Sequence, residues 1–546
     1  MVDIVADDDA LALQRLYHWE TTAPDRVAFT QPIGGGAVRD YTWRDVLDQS
    51  RRMAAHLHGL GLLPGDRVAI LSKNTAHWLM SDFAIWLAGG VSVPLYPTLA
   101  PGTIRQIVEH SEARLLFVGK LDGWTYMKAG VPTSLPCISH PLSPEDAGKS
   151  CPHWDDIIAK TTPLEGEPVR LGESLATIIY TSGTTGVPKG VMWSFAAFAR
   201  QMRAYLRRVQ AHSNTRLFSY LPLSHIGERV VIEHLQLAVG AHAYFSDSLE
   251  TFSADLQRAR PTLFFAVPRL WVKFQQGVLG RMASEKHILT ALGLDQCSDA
   301  FTSAAPMPPE LLRWYATLGL QIAEVYGMTE IGATHFTPRT EEAFGTVGLP
   351  LDGVQCRLDS TSGEIQIRSP WAMLGYYKAP ELTRQTVTDG WVHTGDKGAL
   401  DAHGNLMITG RVKDLFKTSK GEYVAPGPIE HKLVIHAAVE ACCVTGANLG
   451  QPIGLTMLNE MAAKKSADPA GRIELEASLT EHLMAINATL DPRERLDCLV
   501  VITEAWTVDN DLVTPTLKVK RNRIEDAYAK HYESWVRVRK PVVWHE

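Results

Sequence analysis

The amino-acid sequence predicts an α/β protein with parallel sheets in its larger part and a small domain at its carboxyl end. Strand-like apolar runs alternate with helical stretches through roughly the first four hundred residues. After about Asp359 the chain changes to short strands and turns, and the stretch from about Leu415 to Glu546 is long enough for a domain of its own. Strand, crossover helix and strand in succession imply parallel sheets whose faces are covered by helices.

The clearest strand–helix–strand unit lies near the start of the chain. It comprises a buried strand at Arg67–Leu71, a helix at Ala76–Leu87 and a second strand at Val91–Leu95. Asp82 and Pro94 interrupt the apolar character of this stretch, so it fits a buried helix followed by a strand better than a membrane helix. Two more runs have the same buried-strand character: 115–118 and 262–267.

The region after Asp359 has a different texture. Short strands are predicted at Glu364–Arg368 and Leu406–Thr409, and turn sequences such as Asp389-Gly390 separate them. Short strands joined by turns are typical of antiparallel or barrel-like structure. A basic segment, Trp535–Lys540, stands near the end of the chain and is predicted to be a solvated edge, with contact to a ligand or a membrane surface as the alternative.

Composition excludes several classes of protein. The 546 residues include 53 Lys+Arg and 60 Asp+Glu, a net charge of −7, so there is no positive field for coating nucleic acid. The 7 cysteines form no C-x-x-C pair, which argues against a zinc ribbon or a disulfide framework and for a reducing compartment. The acidic residues near Met1 have the wrong charge for a targeting peptide, and we expect a cytoplasmic location.

The most informative segment is the loop Tyr180–Gly190, whose sequence is Tyr-Thr-Ser-Gly-Thr-Thr-Gly-Val-Pro-Lys-Gly. It follows the apolar run Ala176–Ile179 and therefore leaves the end of a predicted strand. Its glycines let backbone N–H groups converge on one point, its hydroxyls add neutral donors, and Lys189 adds one positive charge. Such a loop suits a polyphosphate. It is not a Walker A loop, because Gly190 rather than Ser or Thr follows the lysine.

This loop resembles the signature of the adenylate-forming superfamily, which contains acyl- and aryl-CoA synthetases, adenylation domains of peptide synthetases and firefly luciferase. Seven further segments resemble that family's motifs, in its order: 221–229, 303–306, 326–330, 391–396, 410–414, 417–426 and 514–521. The family usually has Gly where Ser303 or Ala304 stands. Lys417–Pro426, Leu517 and the segment from Arg260 to Arg269 resemble the long-chain acyl-CoA synthetase branch.

The resemblance implies a fold and a reaction. Residues 1–412 would form an N-terminal AMP-binding domain of two doubly wound, mostly parallel sheets plus a distorted β-barrel, and residues 413–546 a small mobile α+β domain. A carboxylate would attack the α-phosphorus of ATP, releasing pyrophosphate and leaving an acyl-AMP. A thiol, that of coenzyme A, would then attack the acyl carbon and expel AMP. ATP, Mg²⁺ and coenzyme A are the implied cofactors.

The resemblance also implies roles for individual residues. Lys518 is expected to bridge carboxylate and triphosphate in adenylation, since an ammonium between two anions offsets their repulsion. Glu330 is the expected Mg²⁺ ligand, with the Thr185 hydroxyl assisting. Tyr326 would stack on adenine, and Asp396 would accept from both ribose hydroxyls. The full set expected around the nucleotide is Thr181, Ser182, Gly183, Thr184, Thr185, Gly186, Lys189, Ala304, Ala305, Tyr326, Gly327, Met328, Thr329, Asp396, Ile408 and Arg411.

The thiol side and the acid pocket are implied in the same way. Rotation of the C-terminal domain about Lys413 would replace Lys518 by the segment Lys420-Gly421, which would line a thiol tunnel. The acid pocket is assigned to His225, Ile331, Gly332 and Ala333, where the small pair Gly332-Ala333 leaves room for a chain. For His225 a packed, hydrogen-bonded role is an equal alternative.

The predicted function is an AMP-forming acid–thiol ligase that makes an acyl-CoA, with a small-molecule fatty acid as the expected substrate. An aryl or cinnamate-type acid, a carrier protein as acceptor, and a catalytically silent nucleotide-binding protein are the alternatives. We expect no nucleic-acid partner and no transmembrane segment; peripheral membrane contact, and monomer or homodimer, stay open. The sequence does not indicate the length of the acid's carbon chain or the metabolic pathway.

Overall fold

The computed structural model describes residues 11–182, 188–279, 287–508, 510–514 and 518–545. In chain order the strands are β1 (Val27–Gly34), β2 (Ala37–Thr42), β3 (Arg67–Leu71), β4 (Val91–Leu95), β5 (Ala113–Val118), β6 (Cys137–Ser139), β7 (Leu175–Ser182), β8 (Pro188–Ser194), β9 (Arg216–Ser219), β10 (His242–Phe245), β11 (Leu263–Ala266), β12 (Asp299–Ser303), β13 (Ile322–Met328), β14 (Gly332–Phe336), β15 (Leu349–Pro350), β16 (Gln355–Leu358), β17 (Glu364–Arg368), β18 (Gly375–Tyr376), β19 (Val387–Thr388), β20 (Trp391–Leu400), β21 (Leu406–Arg411), β22 (Phe416–Lys417), β23 (Tyr423–Val424), β24 (Val439–Thr445), β25 (Ile453–Leu458), β26 (Leu499–Ile502) and β27 (Val542–His545).

The helices cover the faces of these sheets. In chain order they are α1 (Ala12–Thr22), α2 (Trp43–Gly59), α3 (Ala76–Leu87), α4 (Pro101–Ser111), α5 (Trp124–Met127), α6 (Glu145–Ser150), α7 (Trp154–Lys160), α8 (Phe195–Leu206), α9 (Ile226–Glu228), α10 (Leu235–Val239), α11 (Phe252–Ala259), α12 (Pro268–Leu279), α13 (Ile288–Leu292), α14 (Pro309–Thr317), α15 (Pro380–Thr386), α16 (Pro426–Leu433), α17 (Glu460–Ser466), α18 (Pro469–Ala488), α19 (Arg521–Tyr528) and α20 (Tyr532–Arg537). A π-helical segment, Arg229–His234, joins α9 to α10.

Three sheets form the first part of the molecule. The first has the order β18-β8-β7-β4-β3-β5-β6, parallel from β7 to β6 and antiparallel at β8 and β18. The second has the order β2-β1-β10-β9 and the third the order β11-β12-β13-β14-β15. The second and third sheets adjoin at their edges, where the Thr262 N–H donates to the Arg216 carbonyl at 3.1 Å. The α/β architecture predicted from the sequence is confirmed.

The later part of the chain is built differently. β16-β17-β20-β19, with β21 on β20, pair antiparallel throughout, as the short strands after Asp359 predicted. The last sheet has the order β24-β25-β26-β27, and β22 and β23 form a separate hairpin. The described apolar clusters fall into two groups along the chain: those of the first part reach Ile408, and those of the last part begin at Phe416.

The first predicted unit is found where the sequence placed it, as β3, α3 and β4. Every residue of α3 is buried, which explains why the helix is apolar on all sides. Asp82 on α3 forms an ion pair with the buried Arg229, whose Nε donates to Glu233 at 2.8 Å. This pairing makes a carboxylate tolerable inside the core. Among the described residues, no helix combines the length and apolar character that crossing a membrane requires.

Candidate active site

The predicted phosphate loop is the tip of a β-hairpin. β7 and β8 pair antiparallel up to Thr181 opposite Lys189 and Ser182 opposite Pro188. The loop thus leaves the end of a strand, as predicted, and returns directly into the next one. Gly183, Thr184, Thr185 and Gly186, and the side chain of Ser182, lie outside the described residues. The described base of the hairpin places the Lys189 ammonium 5.8 Å from the centre of the Tyr376 ring.

Tyr376 connects this hairpin to the expected metal ligand. Its hydroxyl donates to Glu330 Oε1 at 2.7 Å, and its strand, β18, pairs with β8 so that Tyr376 lies opposite Val191. Glu330 is only 8% exposed, but one carboxylate oxygen is left without a described protein donor. Sequence reasoning did not find Tyr376, because strand pairing alone brings residues 330 and 376 together.

Replacing Tyr376 by Phe should weaken Mg²⁺ use without abolishing catalysis. The change removes one hydrogen bond to a carboxylate, a type of interaction worth about 1.5–3 kcal/mol, so Glu330 becomes free to turn. We expect the Mg²⁺ concentration for half-maximal adenylation to rise by about tenfold. Tyr377→Phe is the matched control on the neighbouring residue. An unchanged Mg²⁺ titration in Tyr376→Phe would show that the hydroxyl does not position Glu330.

Asp396 is the centre of a second polar cluster. Its Oδ2 accepts from the Tyr326 hydroxyl at 2.8 Å, and its Oδ1 accepts from Arg411 Nε at 3.0 Å. The pairing of β20 with β21 sets Asp396 opposite Arg411. Burial and the Asp396 charge raise the pKa of Tyr326 well above its usual value, so the phenol stays a donor. Each carboxylate oxygen retains a lone pair for a further donor, as a ribose diol would require.

The loop expected to line adenine, at residues 303–305, has no glycine where the family usually has one. Ala304 has φ of 75°, in the left-handed region that favours glycine. The Ser303 hydroxyl donates to the Val325 carbonyl at 2.7 Å and ties the loop to β13. Ala304 and Ala305 are exposed. The chain therefore keeps the glycine-type backbone with an alanine in it, at a cost of roughly 1–2 kcal/mol.

Lys518 lies beside these acidic groups. Its pKa is lowered, first by burial and then by the Arg411 charge, while Asp396 and Glu330 act in the opposite direction. The Lys518 side chain is exposed to solvent. The surrounding protein is nevertheless dense enough to disfavour the charged form of its ammonium group. One flexible ammonium is thus within electrostatic reach of both predicted carboxylates, which lie 66 residues apart in the sequence. Residues 515–517 of its motif lie outside the described residues.

His225 has the packed, hydrogen-bonded role that was one of its two alternatives. Its Nδ1 accepts from the Gly227 N–H at 3.1 Å and caps α9. Burial lowers the pKa of His225 to about 4, and the Lys518 charge acts in the same direction. The ring is therefore neutral at pH 7 and carries its proton on Nε2. The acid-pocket role stays a prediction, which would use Nε2.

The other predicted residues occupy varied positions. Ile331 is fully buried in the main core, whereas Ala333 is half-buried on β14. Gly332, the first residue of β14, has φ of 60°. Two more residues were predicted around the nucleotide: the Thr329 carbonyl accepts from Trp193 Nε1 at 2.9 Å, and Ile408 lies opposite Gly398 in the pairing of β20 with β21. The predicted hinge residue, Lys413, and the predicted thiol-tunnel residues, Lys420 and Gly421, are exposed.

An ion pair joins the two parts of the chain. Arg269, on α12, pairs with Glu440, on β24, and both side chains are partly exposed. Arg269 belongs to the segment that resembles the long-chain branch, but no role was predicted for it. The pair therefore connects the first part of the chain, which contains Glu330 and Asp396, to the last part, which contains Lys518.

Breaking this pair should slow adenylation modestly. A partly exposed ion pair contributes up to about 1 kcal/mol, so Glu440→Arg should reduce ATP–pyrophosphate exchange by about two- to fivefold. Thioester formation from supplied acyl-AMP should change less, because Lys518 serves adenylation. The reversed pair Arg269→Glu/Glu440→Arg should recover exchange, which a double-mutant cycle measures. Additive losses in the double variant would contradict a direct interaction.

The described residues fit a nucleotide with its metal. Glu330 offers a carboxylate oxygen, the type of ligand Mg²⁺ prefers, and the Lys189, Arg411 and Lys518 cations suit a polyphosphate. Asp396 has the open acceptor positions that a diol needs. The donor set is therefore compatible with the predicted magnesium–nucleotide site.

Comparison with known proteins supports the resemblance found in the sequence motifs. The model of the family "AMP-binding enzyme" matches residues 16–377. The long-chain-fatty-acid–CoA ligase FadD15 of Mycobacterium bovis is 29% identical, over 97% of this chain and 97% of that protein. Long chain acyl-CoA synthetase 1 of Arabidopsis thaliana is 28% identical, over 89% and 86%. The crystal structure of the anthranilate CoA ligase AuaEII with anthranoyl-AMP has the same fold, with a TM-score of 0.79 at 22% identity over 96% of this chain and 98% of that one.

Proposed function

The chain belongs to the AMP-binding enzyme family, and from that premise we propose that it is an AMP-forming acid–CoA ligase acting on a long-chain fatty acid. It activates a carboxylic acid with ATP, releases pyrophosphate, and transfers the acyl group from AMP to coenzyme A. The proposal joins the family's chemistry to the residues described above. The relatives named as long-chain-fatty-acid ligases support the choice of acid, since they align over nearly the full length.

The observation that carries the proposal is the convergence of Lys518 with Glu330 and Asp396. Adenylation brings a carboxylate and a triphosphate, both anions, within bonding distance. An ammonium placed between them lowers the electrostatic barrier to that approach. Asp396 is suited to hold the ribose and Glu330 to hold Mg²⁺, which when bound neutralises phosphate charge. A catalytically silent scaffold would not need a cation within electrostatic reach of both carboxylates.

We also propose the two-domain division at residue 412/413, with Lys413 as hinge. The separation of the apolar clusters between Ile408 and Phe416 supports it. Because no apolar cluster of the described residues spans this point, one part can move against the other at low cost. Such a rotation would carry Lys518 away and bring Lys420-Gly421 to the thiol.

An acid panel tests the proposed function. Purified protein is incubated with ATP, Mg²⁺ and single acids, from short to long saturated chains and including benzoate and cinnamate. Acid-dependent ATP–pyrophosphate exchange should be greatest for long saturated acids, and addition of coenzyme A should yield the acyl-CoA. A preference for aryl acids, or transfer only to a carrier protein, would overturn the assignment of substrate or acceptor. No acid-dependent exchange with any acid would overturn the proposed function itself.

A further inference from the structure

A buried amide near the acid pocket has no partner. Gln201, on α8, is 1% exposed, and neither its Oε1 nor its Nε2 has a hydrogen-bond partner within the described part of the chain. Buried polar groups are nearly always paired, because leaving one unpaired forfeits its hydrogen bonds to water. An amide with both ends unpaired indicates that something absent from the chain itself completes it.

The amide lies directly against Gly332. A Cβ atom on Gly332 would stand 2.4 Å from Gln201 Nε2 and 2.8 Å from Oε1, so the glycine leaves the space that the amide occupies. Gly332 and Ala333 are the small pair to which the sequence assigned the room for the acyl chain. Gln201 therefore belongs to the wall of that region.

Aromatic side chains flank the amide on the same face of α8. Phe198 stacks on the His234 ring with centroids 3.7 Å apart and has the Arg229 guanidinium carbon 5.9 Å from its ring centre, and Tyr205 packs on Phe336 at 5.2 Å. α9, which His225 caps, also contacts β14. The Gln201 amide is thus a hydrogen-bonding group without a partner among the described residues, flanked by aromatic side chains of its own helix and set against the first residue of β14.

We propose that Gln201 recognises an oxygen on the acyl chain, so that the preferred acids carry a hydroxyl or carbonyl group away from the carboxylate. This inference rests on the proposed function and narrows its substrate to oxygenated acids. An alkyl chain passing the amide would leave it unpaired, whereas a hydroxyl or carbonyl oxygen accepts from Nε2, and a hydroxyl also donates to Oε1. A site built to pair with such a group discriminates against acids that lack it.

The wild-type protein tests this without any mutation. ATP–pyrophosphate exchange is measured for a saturated long-chain acid and for its hydroxy and keto derivatives with the oxygen at successive carbons, and for cinnamate against para-hydroxycinnamate. At least one oxygenated acid should exceed its matched parent in kcat/KM by about tenfold or more. Equal kcat/KM across all pairs, with exchange otherwise normal, overturns the inference and leaves the proposed function standing. No exchange with any acid overturns both.

A variant then assigns the preference to Gln201. Gln201→Leu should abolish the discrimination within each pair while retaining exchange with the parent acid. The matched control is Gln236→Leu, another buried glutamine, whose Nε2 donates to the Ala28 carbonyl at 2.8 Å. Thermal unfolding should show a lower midpoint for the control and an unchanged or higher midpoint for Gln201→Leu. Retained discrimination in Gln201→Leu, or equal loss with all acids, would overturn the assignment.

Discussion

Replacing Lys518 by Ala should abolish adenylation while leaving the second half-reaction largely intact. The ammonium lies within electrostatic reach of Asp396 and Glu330, and we propose it as the group that offsets repulsion between the carboxylate and the triphosphate. Loss of one such electrostatic contact costs about 10²–10³ in rate. ATP–pyrophosphate exchange should fall by that factor. Thioester synthesis from preformed acyl-AMP and coenzyme A should stay within a few-fold of wild type, since no new charge repulsion arises there.

The matched control for Lys518 is Lys520. It stands two residues later, carries the same charge and is already paired with Asp511. Lys520→Ala should leave exchange near the wild-type rate. Normal adenylation in Lys518→Ala would remove the catalytic assignment, and equal loss of both half-reactions would indicate damage to the fold.

The lowered pKa of Lys518 adds a pH dependence to the same prediction. Adenylation needs the protonated ammonium, so exchange should decline as pH rises through that lowered pKa, earlier than for an ordinary lysine. The rate of thioester formation from supplied acyl-AMP should not show this decline. The residual exchange of the Lys518→Ala variant should not show it either. The profile of kcat/KM against pH for the two half-reactions measures the difference.

Replacing Glu330 by Gln should have the second largest effect. Gln keeps the shape of the side chain but removes the negative charge that Mg²⁺ requires. We expect exchange to fall by about 10²-fold and the Mg²⁺ requirement to rise, because the neutral amide binds Mg²⁺ more weakly than the carboxylate that the Tyr376 hydroxyl holds in place. Magnesium titration of exchange gives the measurement.

The matched control for Glu330 is an exposed glutamate on α15. Glu381 pairs with Arg384 at the surface, and Glu381→Gln should leave both rate and Mg²⁺ requirement unchanged. A Glu330→Gln protein with wild-type magnesium dependence would exclude Glu330 as the metal ligand.

Local pattern sufficed for the secondary structure near the start of the chain. The apolar runs that became β3, β4 and β5 are short and bounded by turn residues, and buried parallel strands require that composition whatever surrounds them. α3 is apolar on every side because it is covered on every side. The loop between β7 and β8 was recognisable because glycines and hydroxyls follow a strand directly in the sequence.

Contacts between distant segments could not be predicted in this way. Tyr376 reaches Glu330 only because β18 pairs with β8, and Tyr326 reaches Asp396 across 70 positions of the chain. Nothing in the residues around Arg269 indicated a pairing with Glu440. Gln201 and Gly332 are unremarkable in sequence, and their relation appears only where α8 crosses β14.

The sequence by itself determined the alternation of strands and helices, predicted a phosphate-binding loop at 180–190 and, through its ordered motifs, indicated the family. Those properties depend on neighbours along the chain, where periodicity and backbone freedom act over a few residues. The tertiary structure alone decided which donor holds each carboxylate, that His225 is neutral and caps α9, and that the Gln201 amide has no partner among the described residues. Hydrogen bonding and desolvation depend on atoms within a few ångströms in space, and strand pairing sets those distances.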